Sequence, residues 1–186
     1  MPLVTLIGYR GTGKSTVAAR LAARLGCPWH DADDALEAVV GMSIATLVRE
    51  RGEPAFRDEE ERMLLGLLDR DRCILSTGGG VVLRDSNRAA LGAKGGLVVW
   101  LTAPADVIRR RLAADPATAT RRPGLTGADP LAEVDSALER RAPLYGECAA
   151  LTVDTASLSP DAVVEAILSR LAAAGAPSDE DGRPRA

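Results

Sequence analysis

The sequence contains few of the residues on which several kinds of site depend. Its 186 residues include three cysteines, one histidine and 3% aromatic residues. Cys27, Cys73 and Cys148 are far apart and form no CxxC pair, so neither a disulfide framework nor a zinc site is predicted. We expect free thiols in a reducing cytosol. The scarcity of aromatic rings argues against a stacking platform for single-stranded nucleic acid.

Two further absences narrow the class of protein. The 23 Lys and Arg residues are outnumbered by 26 Asp and Glu residues, giving a formal net charge of -3, whereas a nucleic-acid-binding domain is normally basic. No run reaches the 18 apolar residues typical of a membrane span, and no basic leader precedes the apolar residues 3–7. We therefore expect a cytoplasmic protein that binds neither nucleic acid nor membrane.

The remaining composition is that of a globular domain, with 46% hydrophobic and 26% charged residues. Apolar runs alternate with segments of helical periodicity, which predicts a three-layer α/β/α fold with a parallel sheet covered on both faces. The predicted strands are residues 3–7, 28–31, 73–76, 97–101 and 151–153. The predicted helices are residues 14–25, 35–40, 44–51, 54–68, 104–114, 130–144 and 160–174. We expect one domain over residues 1–174, a mobile loop at 115–129 and a disordered tail at 175–186.

The most specific motif lies between the first strand and the first helix. Residues 8–15, GYRGTGKS, satisfy the GxxxxGK[ST] pattern, and the strand-loop-helix context supports it. The loop amides and the helix N-terminus favour a phosphate, with Lys14 reaching the β- and γ-phosphates and Ser15 holding Mg²⁺. Only Lys14 and Lys94 are lysines. The guanine-reading NKxD is absent, and DxxG occurs only at residues 179–182, which argues against a GTPase and favours a small-molecule kinase.

A group of carboxylates follows the second predicted strand. In an extended segment, residues two apart point to the same side, so we expect Asp31 and Asp33 to share a face beside the phosphate loop. Two carboxylates there suit Mg²⁺ binding and acceptance of a hydroxyl proton. Asp34 points the other way, and its spacing from Glu37 predicts a capping box in which Asp34 is the N-cap.

Several further motifs follow in order along the chain. They are GYRGTGKST at 8–16, DAD at 31–33, FRDEE at 56–60, GGG at 78–80, RP at 122–123 and RAPLY at 141–145. In order and spacing they resemble the shikimate kinase family, over residues 3 to about 170. The resemblance implies a five-stranded parallel sheet of the nucleoside monophosphate kinase type with strand order 2-3-1-4-5. It also implies transfer of the ATP γ-phosphoryl group to the 3-hydroxyl of shikimate, with Mg²⁺ as cofactor, and we expect a monomer.

The resemblance also implies roles for individual residues. Asp33 would bind the substrate hydroxyls and act as the base, and Asp31 would reach Mg²⁺ through water, together with Ser15. The residues implied to bind shikimate are Asp33, Arg57, Gly79, Gly80 and Arg141. The residues implied to bind ATP are Gly11, Thr12, Gly13, Lys14, Ser15, Thr16, Arg110 and Arg122. The substrate-binding helices would span about 33–62, and the lid that carries Arg122 about 115–129.

Each of these roles has a plainer alternative in the sequence. Arginine binds a carboxylate bidentately, and Glu60 lies one helical turn from Arg57, where it can hold the guanidinium. Arg57 could instead form a surface pair with Glu53 or Glu61. Arg141 could end a solvated helix, and residues 78–80 could be a simple turn.

Two arginine assignments depend on register. Arg121 precedes Arg122, so the phosphate contact could fall on either residue, and the lid reads Arg-Pro-Gly-Leu where many members of the family have Arg-Pro-Leu-Leu. Arg109 and Arg111 likewise flank Arg110, the residue matched to the adenine contact.

Two other functions remain as alternatives. A gluconate-type kinase shares the phosphate loop and a similar sheet. That function would not explain why the FRxxE and RAPLY motifs are present with GGG between them. A non-catalytic nucleotide switch would be expected to lack Lys14 or Asp33, and both are present.

Overall fold

The structure, a computed structural model, describes residues 1–114 and 133–175. The strands are β1 (Val4–Ile7), β2 (Trp29–Asp31), β3 (Ile74–Ser76), β4 (Leu97–Thr102) and β5 (Leu151–Asp154). The helices in these ranges are α1 (Lys14–Leu25), α2 (Ala32–Val40), α3 (Ile44–Leu68), α4 (Asp85–Lys94), α5 (Ala105–Ala114), α6 (Val134–Cys148) and α7 (Pro160–Gly175). None of them is long and apolar enough to cross a membrane.

The five strands form one parallel sheet in the order β2-β3-β1-β4-β5. The central strand β1 pairs with β3 and β4, so that Val4 lies opposite both Ile74 and Leu97. All four pairings are parallel. The α/β class, the three layers and the strand order implied by the family resemblance are therefore confirmed.

Alternating residues of the strands build two cores, because successive side chains point to opposite faces. On one face Leu6 packs with Leu21 of α1 and Ile167 of α7. On the other face Ile7 packs with Leu64 of α3 and with Tyr145 of α6, which is fully buried. The carboxyl ends of the strands lie at one edge between these layers, and the chain segments that leave them build the sites described below.

The helix α3 joins two segments that we predicted as separate helices. Its backbone leaves helical geometry only at Gly52, with φ of 82° and ψ of 165°. Pro54 follows two residues later, at the start of the second helical part, where a missing N–H removes no intrahelical hydrogen bond. The predicted break is real, although it is a kink rather than a loop.

One helix was missed from the sequence. Residues 85–94 form α4, which we had left without secondary structure between β3 and β4. A crossover between parallel strands usually contains a helix, so the predicted topology already demanded one there. Only Asn87 and Leu91 of this helix are buried, which is why hydrophobic periodicity did not reveal it.

The N-cap of α2 also differs from the prediction. Asp31, not Asp34, caps this helix, and its side chain accepts from the backbone N–H of Asp33 at 3.0 Å. Asp34 lies exposed in the first turn. Glu37 accepts instead from the N–H of Ile44 at 2.8 Å, so it caps the next helix rather than closing a capping box.

The predicted lid at 115–129 lies outside the described residues. Of the predicted tail, only Gly175 is described, as the last residue of α7.

Candidate active site

The phosphate loop connects β1 to α1 as predicted. Lys14 is buried, and its ammonium group donates to the carbonyl oxygens of Gly8 at 2.8 Å and Tyr9 at 3.0 Å. The Thr12 hydroxyl donates to the same Tyr9 carbonyl at 2.7 Å. The ammonium group is therefore held against the phosphate loop. It lies at the N-terminus of α1, where the helix dipole favours an anion.

Three oxygen-bearing side chains converge beside the start of α1. The Asp31 carboxylate accepts from the hydroxyl of Ser15 at 2.7 Å and from that of Ser76 at 3.0 Å. Oxygen ligands of this kind suit Mg²⁺, which usually takes one or two carboxylates together with water and substrate phosphates. Within residues 1–114 and 133–175, no group of three or more His, Cys, Asp or Glu side chains could hold a metal by itself. The residues present therefore fit a magnesium ion that a nucleotide helps to bind.

Asp33 lies in a different position from Asp31. It is the second residue of α2 rather than part of an extended segment, so the reasoning from strand alternation was wrong. Its carboxylate approaches Gly78 and lines a cavity of about 410 Å³. Asp31 faces the serine hydroxyls, and Asp33 faces this cavity.

The cavity adjoins the phosphate loop through Tyr9 and Arg10, which form part of its wall. The wall is strongly charged, with four arginines, two glutamates and one aspartate, and α3 contributes an apolar side. The charged residues are Arg10, Arg49, Arg57, Arg141, Glu60, Glu133 and Asp33. A cavity of this size and charge suits a small anion with hydroxyl groups.

Arg57 is held rigidly at the wall of this cavity. Its guanidinium donates to Glu60 at 2.6 Å and to Glu53 at 3.2 and 3.0 Å, and it lies 4.7 Å from the ring centre of Phe56. The pair with Glu53 that the sequence left open is therefore present, but Arg57 and Glu60 are 7% and 6% exposed, so the guanidinium is buried rather than held in a surface pair alone. Burial raises the pKa of the Glu60 carboxyl against the opposing effect of Arg57, so its ionised form depends on the guanidinium.

The three glycines at 78–80 make room for these side chains. A Cβ atom at Gly80 would lie 2.2 Å from Nη1 of Arg57, and one at Gly78 would lie 2.9 Å from both Asp33 and Glu60. Neither glycine has a positive φ. The segment therefore needs glycine for close approach, and a simple turn does not account for it.

Arg141 and Tyr145 both reach the backbone of Gly79. Arg141 donates to its carbonyl at 3.1 Å, and the Tyr145 hydroxyl donates to the same oxygen. Arg141 also lies 5.4 Å from the centre of the Tyr9 ring, so it is not a solvated helix end. Burial raises the pKa of Tyr145, which keeps the phenol protonated as a donor.

Sequence reasoning missed Tyr145 as a residue of the site, although it belongs to the RAPLY segment. Its ring stacks on Trp100 with centroids 5.7 Å apart. The signal available in the sequence was an aromatic residue one helical turn after Arg141.

A second cavity of about 240 Å³ lies on the other side of the phosphate loop. Thr12, Gly13 and Thr16, three of the residues implied to bind ATP, line it together with Arg111 and Thr155; nucleotide binding in this cavity stays a prediction. Arg110, which we matched to the adenine contact, pairs instead with Asp106 at 3.2 Å on the exposed side of α5. Contact between Arg110 and adenine stays a prediction, and Arg121 and Arg122 lie outside the described residues.

The fold, together with one cavity on each side of the phosphate loop, is that of a phosphate-loop kinase. The family model "SKI: Shikimate kinase" matches residues 10–172. The shikimate kinase of Rhodopirellula baltica is 42% identical over 163 residues, covering 88% of this chain and 87% of that protein. The chain belongs to the shikimate kinase family.

Solved structures agree with this assignment. The shikimate kinase of Acinetobacter baumannii, determined in complex with shikimate, has a TM-score of 0.85 and 31% identity, with 94% of each chain covered. A gluconokinase from Sinorhizobium meliloti has a TM-score of 0.60 and 20% identity, covering 92% of this chain and 91% of that one. The latter likeness shows a common fold alone.

Proposed function

We propose that this protein transfers the γ-phosphoryl group of ATP to the 3-hydroxyl of shikimate, giving shikimate 3-phosphate and ADP. The observation that carries the proposal is the charged cavity next to the phosphate loop, with Tyr9 and Arg10 common to both. It offers Arg57 and Arg141 to a carboxylate and Asp33 to hydroxyl groups. The bound acid would thus lie beside the phosphate that it receives.

The reaction assigns a step to each group. The oxygen of the shikimate 3-hydroxyl forms a bond to the γ-phosphorus, and the bond between that phosphorus and the ADP oxygen breaks. Asp33 accepts the proton of the hydroxyl during this step. Lys14 stabilises charge on the β- and γ-phosphates, while Arg57 and Arg141 hold the carboxylate and the backbone of Gly79 and Gly80 contacts the ring.

The magnesium site is proposed at Ser15 and Asp31. Bound Mg²⁺ supplies positive charge to the β- and γ-phosphate oxygens. The hydroxyl of Ser15 would face the ion directly, and Asp31 would reach it through water. In the cell the protein would work as a cytoplasmic monomer on the route to aromatic amino acids.

A coupled assay of ADP release tests the proposal directly. ATP and Mg²⁺ with shikimate are expected to give turnover, and gluconate as the acceptor is expected to give none. Turnover with gluconate and not with shikimate would contradict the proposal and favour the gluconate-type alternative.

Replacing Arg57 or Arg141 with Ala is expected to raise the shikimate KM about 10–150-fold, because a hydrogen bond to a charged group contributes about 1.5–3 kcal/mol. The ATP KM should change less than about twofold. Arg62→Ala on the same helix is the matched control, since Arg62 pairs with Glu59 and is 71% exposed. Equal changes in both KM values would point to a folding defect instead.

Gly80→Ala is expected to weaken shikimate binding while the protein still folds. The added Cβ would lie 2.2 Å from Nη1 of Arg57, at the far end of a long side chain, so we expect the guanidinium to be pushed out of its place beside Glu60 while the backbone stays in position. We expect at least about a tenfold rise in shikimate KM, equivalent to losing one charged hydrogen bond. Gly92→Ala is the control, because a Cβ there meets nothing within 4 Å. An unchanged KM in the Gly80 variant would show that Arg57 does not hold the acid.

The lid arginine is a further proposal for residues outside the described ranges. Arg122→Ala should lower kcat at least about tenfold, since an arginine that stabilises the transferring phosphoryl group contributes about 10³–10⁵ in rate in other phosphate-loop enzymes. Arg121→Ala should do much less. Steady-state kinetics of the two variants decide the register, and a larger loss at Arg121 would reverse it.

A further inference from the structure

Tyr9 lies at the junction between the phosphate loop and the acid cavity, which is the charged cavity of about 410 Å³ described above. The proposed function assigns no step to this residue. Although it belongs to a loop, Tyr9 is only 4% exposed. It packs in one cluster with Ile108 and Leu112 of α5 and with Ala137 of α6. A side chain packed this closely is held in one rotamer, so the ring has a fixed position.

The ring of Tyr9 faces the guanidinium of Arg141. The Cζ atom of Arg141 lies 5.4 Å from the ring centre, which is within the range of a cation–π interaction. Arg141 follows Ala137 by one turn of α6, so both residues lie on the side of the helix that meets Tyr9. The guanidinium also donates to the Gly79 carbonyl at 3.1 Å. These contacts hold it between the aromatic ring and the glycine segment.

The backbone of Tyr9 belongs to the nucleotide side of the same loop. Its carbonyl oxygen accepts from the Lys14 ammonium group at 3.0 Å and from the Thr12 hydroxyl at 2.7 Å. The backbone also packs on the glycine segment, where a Cβ at Gly79 would lie 3.6 Å from Cα of Tyr9. The ring that faces Arg141 is therefore anchored in the loop that carries Lys14.

A second arginine lies near the same ring. The Cζ atom of Arg10 is 5.7 Å from the ring centre of Tyr9, and Arg10 also lines the acid cavity. Because Arg10 follows Tyr9 directly in the chain, its closeness to the ring is local. Arg141 reaches the ring from α6 and also bonds to Gly79, which favours Arg141 as the side chain that the ring positions.

We infer that Tyr9 is a positioning residue, whose ring holds the guanidinium of Arg141 in the orientation that binds the shikimate carboxylate. The inference rests on the proposed function, in which Arg141 binds that carboxylate. A cation–π contact is stronger where water is excluded than on an open surface, and Tyr9 is buried. Because the ring acts through Arg141, its loss should weaken the binding of shikimate and leave nucleotide affinity unchanged, although Tyr9 lies in the phosphate loop.

The test compares Tyr9→Leu with Tyr9→Phe. Leucine removes the aromatic face, so the shikimate KM, and the shikimate dissociation constant measured by calorimetry, should rise about three- to thirtyfold, the range of a cation–π contact. The ATP KM should change less than about twofold. Phenylalanine keeps the aromatic face, and all three constants should stay within about twofold of wild type. Trp29→Leu is the matched control and should behave in the same way, since Trp29 lies on the edge strand β2 and is 37% exposed.

A double-mutant cycle separates an action through Arg141 from a general disturbance of the loop. In an Arg141→Ala background, Tyr9→Leu should raise the shikimate KM by less than about a further twofold. In an Arg10→Ala background, Tyr9→Leu should have its full effect. A full effect in the Arg141→Ala background, or its loss in the Arg10→Ala background, would overturn the inference.

Three other results would also overturn it: unchanged shikimate constants in Tyr9→Leu, equal losses for both substrates, or a loss in Tyr9→Phe as large as that in Tyr9→Leu, which would assign the effect to the hydroxyl. If Tyr9→Leu does not fold, Tyr9→Met takes its place with the same outcomes, because methionine adapts to irregular gaps. Wild-type protein that binds shikimate without phosphorylating it would refute the proposed function, and the calorimetry would still test Tyr9. Wild-type protein that does not bind shikimate would overturn both.

Discussion

Lys14→Ala is expected to lower kcat at least about 10²–10³-fold. This is the usual loss when one preorganised hydrogen-bond donor that stabilises negative charge in the transition state is removed. The ammonium group lies within 3.0 Å of the Gly8 and Tyr9 carbonyls, so it is held at the loop where the phosphates are expected. Alanine has no group that reaches the phosphates. Steady-state assay of ADP release measures the loss.

The chain provides a matched control for this substitution. Lys94, the other lysine, pairs with Asp69 at 2.7 Å on the surface, and Lys94→Ala should retain wild-type kcat. Circular dichroism and the thermal midpoint should show that Lys14→Ala remains folded. Retained activity in the Lys14 variant, or full wild-type activity in excess chelator, would contradict the proposed roles of the lysine and the metal.

Asp33→Asn is expected to lower kcat at least about 10²-fold, the lower end of what a general base contributes. The amide keeps the shape and volume of the side chain but cannot accept the hydroxyl proton. Because Asp33 lines the acid cavity close to Gly78, the substitution should act on turnover more than on stability. Rapid-mixing measurement of the phosphoryl-transfer step would place the loss in the chemistry.

Asp34→Asn is the control for Asp33. Asp34 lies exposed in the first turn of α2, where a negative charge contributes only about 0.3–1 kcal/mol through the helix dipole. We expect kcat within about threefold of wild type and a small fall in the thermal midpoint. A large loss of kcat at Asp34 with none at Asp33 would show that Asp33 is not the base.

The sequence by itself determined the phosphate loop, the α/β class and the family. The loop motif, the strand before it and the helix after it are local features, readable from neighbouring residues. The resemblance supplied the strand order and the candidate residues of the acid site. Local reasoning failed at α4, where few buried residues mark the helix, and at Asp33 and Asp34, because Asp31 caps α2 and the helix begins at Ala32 instead of continuing the strand.

Tertiary structure decided which side chains act together. Gly79 meets Tyr145 across 66 residues of chain, and Gly11 meets Arg111 across 100. Among Arg109, Arg110 and Arg111 the sequence alone cannot choose, because the choice depends on which side of α5 faces the phosphate loop. Periodicity and motifs report the conformation of a segment, whereas these contacts arise only when the parallel sheet brings the carboxyl ends of distant strands to one edge.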